Sequence, residues 1–331
     1  VVFAGPSAAG DDFFDDCEVT VDLAFNNQRL APCPLEVRAA AARWDDVDGT
    51  PRLTQWSSTQ GAHGTRDTLA AAAGVDASQV RVICPDVGGG FGAKNGGYPE
   101  DVVVALVARK LGRPVRWVES RSESMLGLVH GRGCDFTATI GGDRDGTVKA
   151  YKVHSLQDGG AYPEVGAVLP FITARMASGV YAIPKIDFSF TSVCTNTVPM
   201  GAYRGAGRPE ASYAIERMMD LLSYEVGVGP DEIRRRNYLA GGDKFEDLET
   251  ASTLVFDSGH YTPNLDAALA MAKYDELRAE QQRRRDAGER KQLGIGLCTY
   301  VEICGLAPSR ALAGLNYGAG GWEAGTVRLL P

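Results

Sequence analysis

Two periodicities organise the chain. Alternation of apolar and polar positions predicts strands over residues 17–23 and 52–57, an apolar run predicts one over 80–84, and 114–118 returns as another. Strands then dominate: 134–140, 147–156 and 186–195, the first two joined by a turn at Asp143 to Gly146. Helical spacing appears between these runs. An Ala-rich segment after Gln60 is closed by Gly74. A helix from Pro99 has Glu100 and Asp101 in its first turn, Arg109 and Lys110 in its last, and Gly112 just past its end, the charge order that complements a helix dipole. The segment from Pro209 carries an apolar stripe at a 3.6-residue period, namely Ala211, Ala214, Ile215, Met218, Leu221 and Leu222. Gly229-Pro230-Asp231-Glu232 opens a short helix ending in Arg234-Arg235-Arg236, and a further helical stretch begins near Pro263. Residues 293–300 read as a new strand in a new composition, which places a boundary between Gly288 and Leu293. The pattern is that of a mixed α+β chain: one domain over 1–290, with 1–30 as a leading connector strand, and the opening of a second over 291–331.

Composition narrows the function classes. The 331 residues are 44% apolar, enough for a substantial core. Forty glycines beside 16 prolines, without a Ser/Gly linker, indicate tight turns and close backbone approaches rather than disorder. A net charge of −8 argues against nucleic acid or an anionic membrane as the main partner. The one basic run, Arg283-Arg284-Arg285, lies in a charged stretch over 274–292 that reads as a solvated helix. Seven scattered cysteines, odd in number and without Cys-x-x-Cys, fit a reducing, cytoplasmic setting and lack iron–sulfur or zinc spacing. His63, His130, His154 and His260 are too dispersed for a metal motif. No signal peptide or membrane span is visible. The first residue is Val, and residues 327–331 look like an interrupted strand, so both ends are expected to belong to a longer polypeptide.

Three segments carry candidate chemistry. Ala202-Tyr203-Arg204-Gly205-Ala206-Gly207-Arg208 sets two arginines in a small-residue loop ahead of a helix; its glycines admit close approach and its arginines supply permanent cations. Gly88-x-Gly90-x-x-Ala93 follows a strand, and Glu119 follows the next one, as in a dinucleotide fingerprint; the same residues suit a crossover where backbone packs on backbone. The helix that follows starts near Tyr98, too late to put those glycines at its N-terminus, and Lys94-Asn95 excludes a Walker loop. Gln60 sits at a strand-to-helix turn, where a neutral amide serves as turn residue or as donor to an oxo group. There is no Gly-x-Ser-x-Gly elbow, and Asp158, Glu164, Glu119 and Glu123 show no readable pairing and are expected to be solvated or capping.

Ser58-Thr59-Gln60, Gly88-Gly89-Gly90-Phe91-Gly92-Ala93-Lys94 and the 202–208 loop, in this order and spacing, resemble the molybdenum-binding large subunit of the molybdenum hydroxylases, the family of xanthine dehydrogenase, aldehyde oxidase and aerobic carbon monoxide dehydrogenase. Arg29-x-Ala-Pro-x-Pro-x-Glu36, Gly112-Arg113-Pro114-Val115 and Glu232-Ile233-Arg234-x-x-Asn237 support the likeness, which runs from about Asp16 to the C-terminus and is strongest toward the carbon monoxide dehydrogenase branch. In that branch a loop Cys binds Cu(I). Gly205 stands there in this chain, as in the form II loop, which points to hydroxylation of an aldehyde or N-heterocycle rather than carbon monoxide oxidation.

The resemblance assigns roles. Gln60 is expected to hydrogen-bond the apical oxo group of molybdenum. Gly90, Phe91 and Gly92 are expected to lie against the pterin and metal, Ala202 and Tyr203 to line the pocket, and Arg204 to donate near the metal, with Gly205 leaving room; Gln60, Phe91 and Arg204 form the catalytic set. It implies molybdopterin cytosine dinucleotide, whose dithiolene holds the metal without protein ligands, and partner subunits carrying FAD and 2Fe–2S clusters. The family's general base and dinucleotide-tail loops come later than residue 331, so this stretch is expected to be inactive alone. Three other readings remain: carbon monoxide dehydrogenase activity of the form II type, a nicotinamide-dependent dehydrogenase built on the Gly88–Ala93 turn, which needs that turn at a helix start, and an inert binding module.

Overall fold

The structure is a computed structural model that describes residues 1–163, 165–240, 248–252, 254–257 and 259–303. Strands β1 (Phe3–Gly5) and β2 (Val19–Leu30) form the two edges of a five-stranded sheet whose interior strands come much later in the chain. Residues 39–118 build a separate four-stranded sheet in between. There β3 (Ala39–Val47) and β4 (Thr50–Ser57) form a hairpin turned at Asp48 and Gly49, both at positive φ. Helix α1 (Ala62–Ala73), ended by left-handed Gly74, crosses over to β5 (Val80–Ile83), which pairs parallel with β4. Helix α2 (Pro99–Leu111) returns the chain to β6 (Val115–Val118), antiparallel to β3, giving the order β5-β4-β3-β6. Leu53, Leu69, Val104, Ala105 and Ala108 fill the space between this sheet and its two helices.

After a short helix, α3 (Arg121–Gly127), the chain enters β7 (Gly131–Gly142) and β8 (Val148–Asp158). Helix α4 (Val165–Arg175) carries it across to β9 (Lys185–Val193), parallel to β8, and the sheet order is β1-β9-β8-β7-β2. Along β7, residues Phe136, Ala138 and Ile140 turn inward in a two-residue period. They meet the stripe of α5 (Arg208–Val226), in which Ala211, Ala214, Ile215, Met218 and Leu222 are buried as the spacing predicts. The larger of these side chains, Ile215, Met218 and Leu222, each contribute about 1.5–3 kcal/mol on burial. Helix α6 (Pro230–Asn237) supplies Ile233 to the core. It also supplies Arg234, whose fully buried guanidinium bonds Glu216, Asp220 and the Leu297 carbonyl. Helices α7 (Tyr261–Ala272) and α8 (Tyr274–Asp286) follow, the latter laced by Arg283 and Arg284 pairs to Glu280, so the basic run is a solvated helix face.

The fold corrects several expectations. Residues 293–300 alternate between half-buried and exposed positions but pair with no strand among the described residues. Their carbonyls are taken by side chains instead, Leu293 by Gln281 and Leu297 by Arg234. β3 escapes propensity because it begins with four alanines, and it is a strand because β4 and β6 pair on both its sides. α4 is apolar nearly all round and contains Pro170, which hides a helical period. Glu119 is not solvated: it is buried and bonded to the Arg38 guanidinium at 2.5–3.0 Å. Asp158 is paired with Arg29, whereas Glu123 caps α3 through Ser120 as expected. Glu164 and Cys304 lie outside the described residues. Cys134 is an inert core thiol that burial pushes up to about 12.

Candidate active site

The two sheets meet along a seam where three separated segments converge. Its foundation is a buried cation. Lys94 has no side-chain exposure, and its Nζ donates to Glu36 Oε2 and Ser58 Oγ, both at 2.8 Å. The same Glu36 oxygen accepts from Ser58 Oγ and from the Gly88 N–H, each at 2.8 Å. One carboxylate thus ties the residue after Pro34-Leu35 to the end of β4 and to the start of the glycine loop. Burial raises the Glu36 pKa, but the bonds from Lys94, Ser58 and Gly88 outweigh it and hold the carboxyl below its ordinary value of 4.5. The stabilisation is therefore full above the ordinary carboxylate range and is lost as pH falls through the lowered native value. Glu36→Gln is expected to cost about 2 kcal/mol at pH 7, less than a fully enclosed pair because part of Glu36 stays in water. The difference between variant and wild type in urea unfolding should shrink steadily below pH 4.5.

Above this foundation lies Gln60. Its backbone N–H donates to the Lys94 carbonyl at 2.8 Å, and its Oε1 accepts from the N–H groups of Gly92 (2.9 Å) and Lys94 (3.3 Å). Only the oxygen of the amide can accept both, so its orientation is fixed and Nε2 points away as a donor. Among the described residues Nε2 has no acceptor, and the residue is exposed. The glycines are required by space. A Cβ on Gly90 would stand 2.6 Å from Gln60 Cδ, and one on Gly92 would stand 2.8 Å from the Ala202 carbonyl carbon. Phe91 lies between them at φ 55°, 37% exposed, its ring beside Gly89.

The third segment is the arginine loop. The Arg204 N–H donates to the Phe91 carbonyl at 2.9 Å, joining the loop to the glycine turn. The Ala206 N–H closes a turn on the Tyr203 carbonyl at 2.7 Å. Beneath, Arg132 of β7 sends its guanidinium to the carbonyls of Tyr203 (3.2 Å) and Arg204 (2.7 Å) and to Glu210 Oε1 (3.0 Å), 4.8 Å from the Tyr203 ring centroid. Glu210 also accepts from the Gly207 N–H at 2.9 Å. The Arg204 guanidinium is exposed and has no partner among the described residues.

Gln60, Gly90, Phe91, Gly92, Ala202, Tyr203, Arg204 and Gly205 thus lie along one seam. Sequence reasoning gave no role to its supports: Glu36 and Lys94 stand within the quoted motifs, while Arg132 and Glu210 carry no local signal. The glycine turn is not at a helix start, since α2 begins at Pro99, so the geometry a nicotinamide site requires is missing. The exposed groups of the seam are donors: an amide N–H₂ and a guanidinium. No cluster of three or more His, Cys, Asp or Glu suited to a metal exists among the described residues. Such a surface fits an anionic group that brings its own metal ligands, as a molybdenum-bearing pterin does.

Comparison with known proteins identifies the family. Residues 4–238 match the family model of the molybdopterin cofactor-binding domain. The carbon monoxide dehydrogenase large chain of Hydrogenophaga pseudoflava is 34% identical over 99% of this chain and 41% of its own length. The nicotine 6-hydroxylase large subunit of Paenarthrobacter nicotinovorans is 34% identical over 89% of this chain and 36% of its own. Among solved structures, quinoline 2-oxidoreductase from Pseudomonas putida superposes with a TM-score of 0.78 at 31% identity, covering 84% of this chain and 35% of that one. This chain therefore spans about 40% of the curated relatives it matches. With three distant segments meeting in one donor-lined seam and the family model spanning both sheets, the chain belongs to the molybdopterin cofactor-binding domain family, in the large subunits of the molybdenum hydroxylases.

Proposed function

We propose that this chain forms one wall of the molybdenum site in an oxidoreductase that hydroxylates an aldehyde or an N-heterocycle with oxygen from water. The observation that carries the reading is the locked Gln60 amide, whose donor has no acceptor among the described residues while its oxygen holds the glycine turn that the Arg204 N–H joins through the Phe91 carbonyl. When bound, the molybdopterin supplies the redox chemistry and the activation of water. Gln60 Nε2 would donate a hydrogen bond to the cofactor held against the glycine turn. Gly90, Phe91, Gly92 and Ala202 form the close backbone surface against which the cofactor rests. Tyr203 and Phe91 wall the pocket and exclude water, and Arg204 balances negative charge at the reacting centre.

Carbon monoxide oxidation is the weaker reading. Gly205 offers no thiolate for copper, and its backbone is left-handed (φ 94°), with Pro209 carbons 2.6 Å from where a Cβ would stand. The names of the nicotine and quinoline relatives agree with an aromatic nitrogen substrate. The reading extends to the cytosine dinucleotide form of the cofactor, to partner subunits with FAD and 2Fe–2S clusters, to a cytoplasmic location, and to 291–331 as the start of a second cofactor-binding domain. Among the described residues no helix is long and apolar enough to cross a membrane. The test is metal analysis of the full-length protein co-expressed with the cofactor pathway. Molybdenum near one per chain, with cytidine monophosphate released on acid hydrolysis, is the expected result; a folded protein without molybdenum rejects the reading.

A further inference from the structure

A trans peptide holds its carbonyl and its N–H on opposite sides. The carbonyls of Tyr203 and Arg204 both accept from Arg132, at 3.2 and 2.7 Å, so the N–H groups of Arg204 and Gly205 both point away from it. The Arg204 N–H lands on the Phe91 carbonyl. The Gly205 N–H faces the same side and has no acceptor among the described residues. Of these two successive N–H groups, only that of left-handed Gly205 is left to meet an anion, the other being spent on Phe91. Arg132 is itself held rigidly. It is 8% exposed with φ 64°, its carbonyl accepts from Gln157 Nε2 at 2.9 Å, and Glu210 fixes the guanidinium. Among the described residues the Arg204 carbonyl has no other donor than Arg132.

We propose that Arg132 is a positioning residue that aims the Gly205 N–H into the site, as a backbone donor to the negatively charged group bound against Gln60 and Phe91. The inference rests on the reading of the site given under Proposed function. Lysine keeps the charge of Arg132 but replaces a planar fork with a compact ammonium, whose three donors share one nitrogen and are not spaced as Nη1 and Nη2 are to meet two carbonyls and Glu210.

The test uses full-length holoenzyme, wild type against Arg132→Lys, with three readouts: molybdenum per chain with melting temperature, steady-state kinetics on quinoline or benzaldehyde with a dye acceptor, and hydrogen exchange of the 203–207 amides with and without cofactor. The expected result is near-normal metal content and melting, kcat lowered about tenfold with KM changed less than about threefold, and loss of the cofactor-dependent protection at Gly205 that the wild type shows. Wild-type kcat and protection in the variant overturn the proposal. So does a rate loss that merely follows lost molybdenum, with the loaded fraction turning over normally. The exchange comparison needs no variant: a wild-type Gly205 amide that exchanges equally with and without cofactor also overturns it. Wild-type protein without molybdenum is a different outcome and removes the parent reading.

Discussion

Alanine in place of Gln60 is expected to lower kcat of the full-length enzyme by about 10²- to 10³-fold, the range for removing one preorganised donor from a site where charge develops. The amide does two things at once, and the substitution removes both. Nε2 is the outward donor, while Oε1 holds the N–H groups of Gly92 and Lys94. Their release costs about 1–2 kcal/mol of stability, too little to unfold a domain of this size. Gln60→Glu separates the two functions. A carboxylate still accepts both backbone N–H groups, so the glycine turn stays in place, but it offers no donor and adds a negative charge toward the cofactor. The expected order of kcat is wild type, then alanine, then glutamate, while thermal stability places glutamate above alanine. Steady-state kinetics normalised to bound molybdenum, together with melting curves, test both orders. Equal kcat values for glutamate and glutamine would remove Gln60 from the donor set.

The sequence showed the two ends of this logic and little of its middle. The helix from Pro99 was readable because its proline, acidic first turn, basic last turn and Gly112 all agree, and α5 because its stripe is continuous. β3 was hidden, since alanines become a strand only when two neighbours offer their ladders. The seam itself was legible as three motifs, and the structure brings Gln60, Phe91 and Arg204 together through Gly92 and the Phe91 carbonyl. What holds the seam was not legible. Glu36, Ser58 and Lys94 meet across 58 residues, and Arg132 reaches Glu210 across 78. Such pairings depend on how each sheet packs with its own loops and helices, and no local spacing encodes that. The strand expected over 293–300 pairs with none among the described residues: an alternating pattern specifies which side chains face inward and does not by itself supply a partner strand.

Docking of the sheets makes Gly92 the most sensitive backbone position in the seam. Its φ is 94°, a conformation that a β-branched residue enters only at a cost of about 1–3 kcal/mol. Space is the larger obstacle. A Cβ there would meet the carbonyl group and Cβ of Ala202, and Ala202 belongs to the loop that Arg132 and Phe91 hold from both sides. Backbone cannot swing aside as a flexible side chain does, so Gly92→Val is expected to pry the 202–205 loop from the glycine turn. Gln60 would then lose one of its two anchors, since the Gly92 N–H moves with the turn. The expected outcome is a full-length protein with less than about a tenth of the wild-type molybdenum, because on the proposed reading the cofactor rests on this closely approached backbone. Gly96→Ala is the control. Gly96 has φ 82° in the same connecting segment, but nothing lies within 4 Å of its Cβ position. It should lose only the conformational term, about 1–2 kcal/mol in urea unfolding, and keep its metal. If Gly92→Val retained full molybdenum while melting no lower than Gly96→Ala, the glycine turn and the arginine loop would not share the cofactor surface.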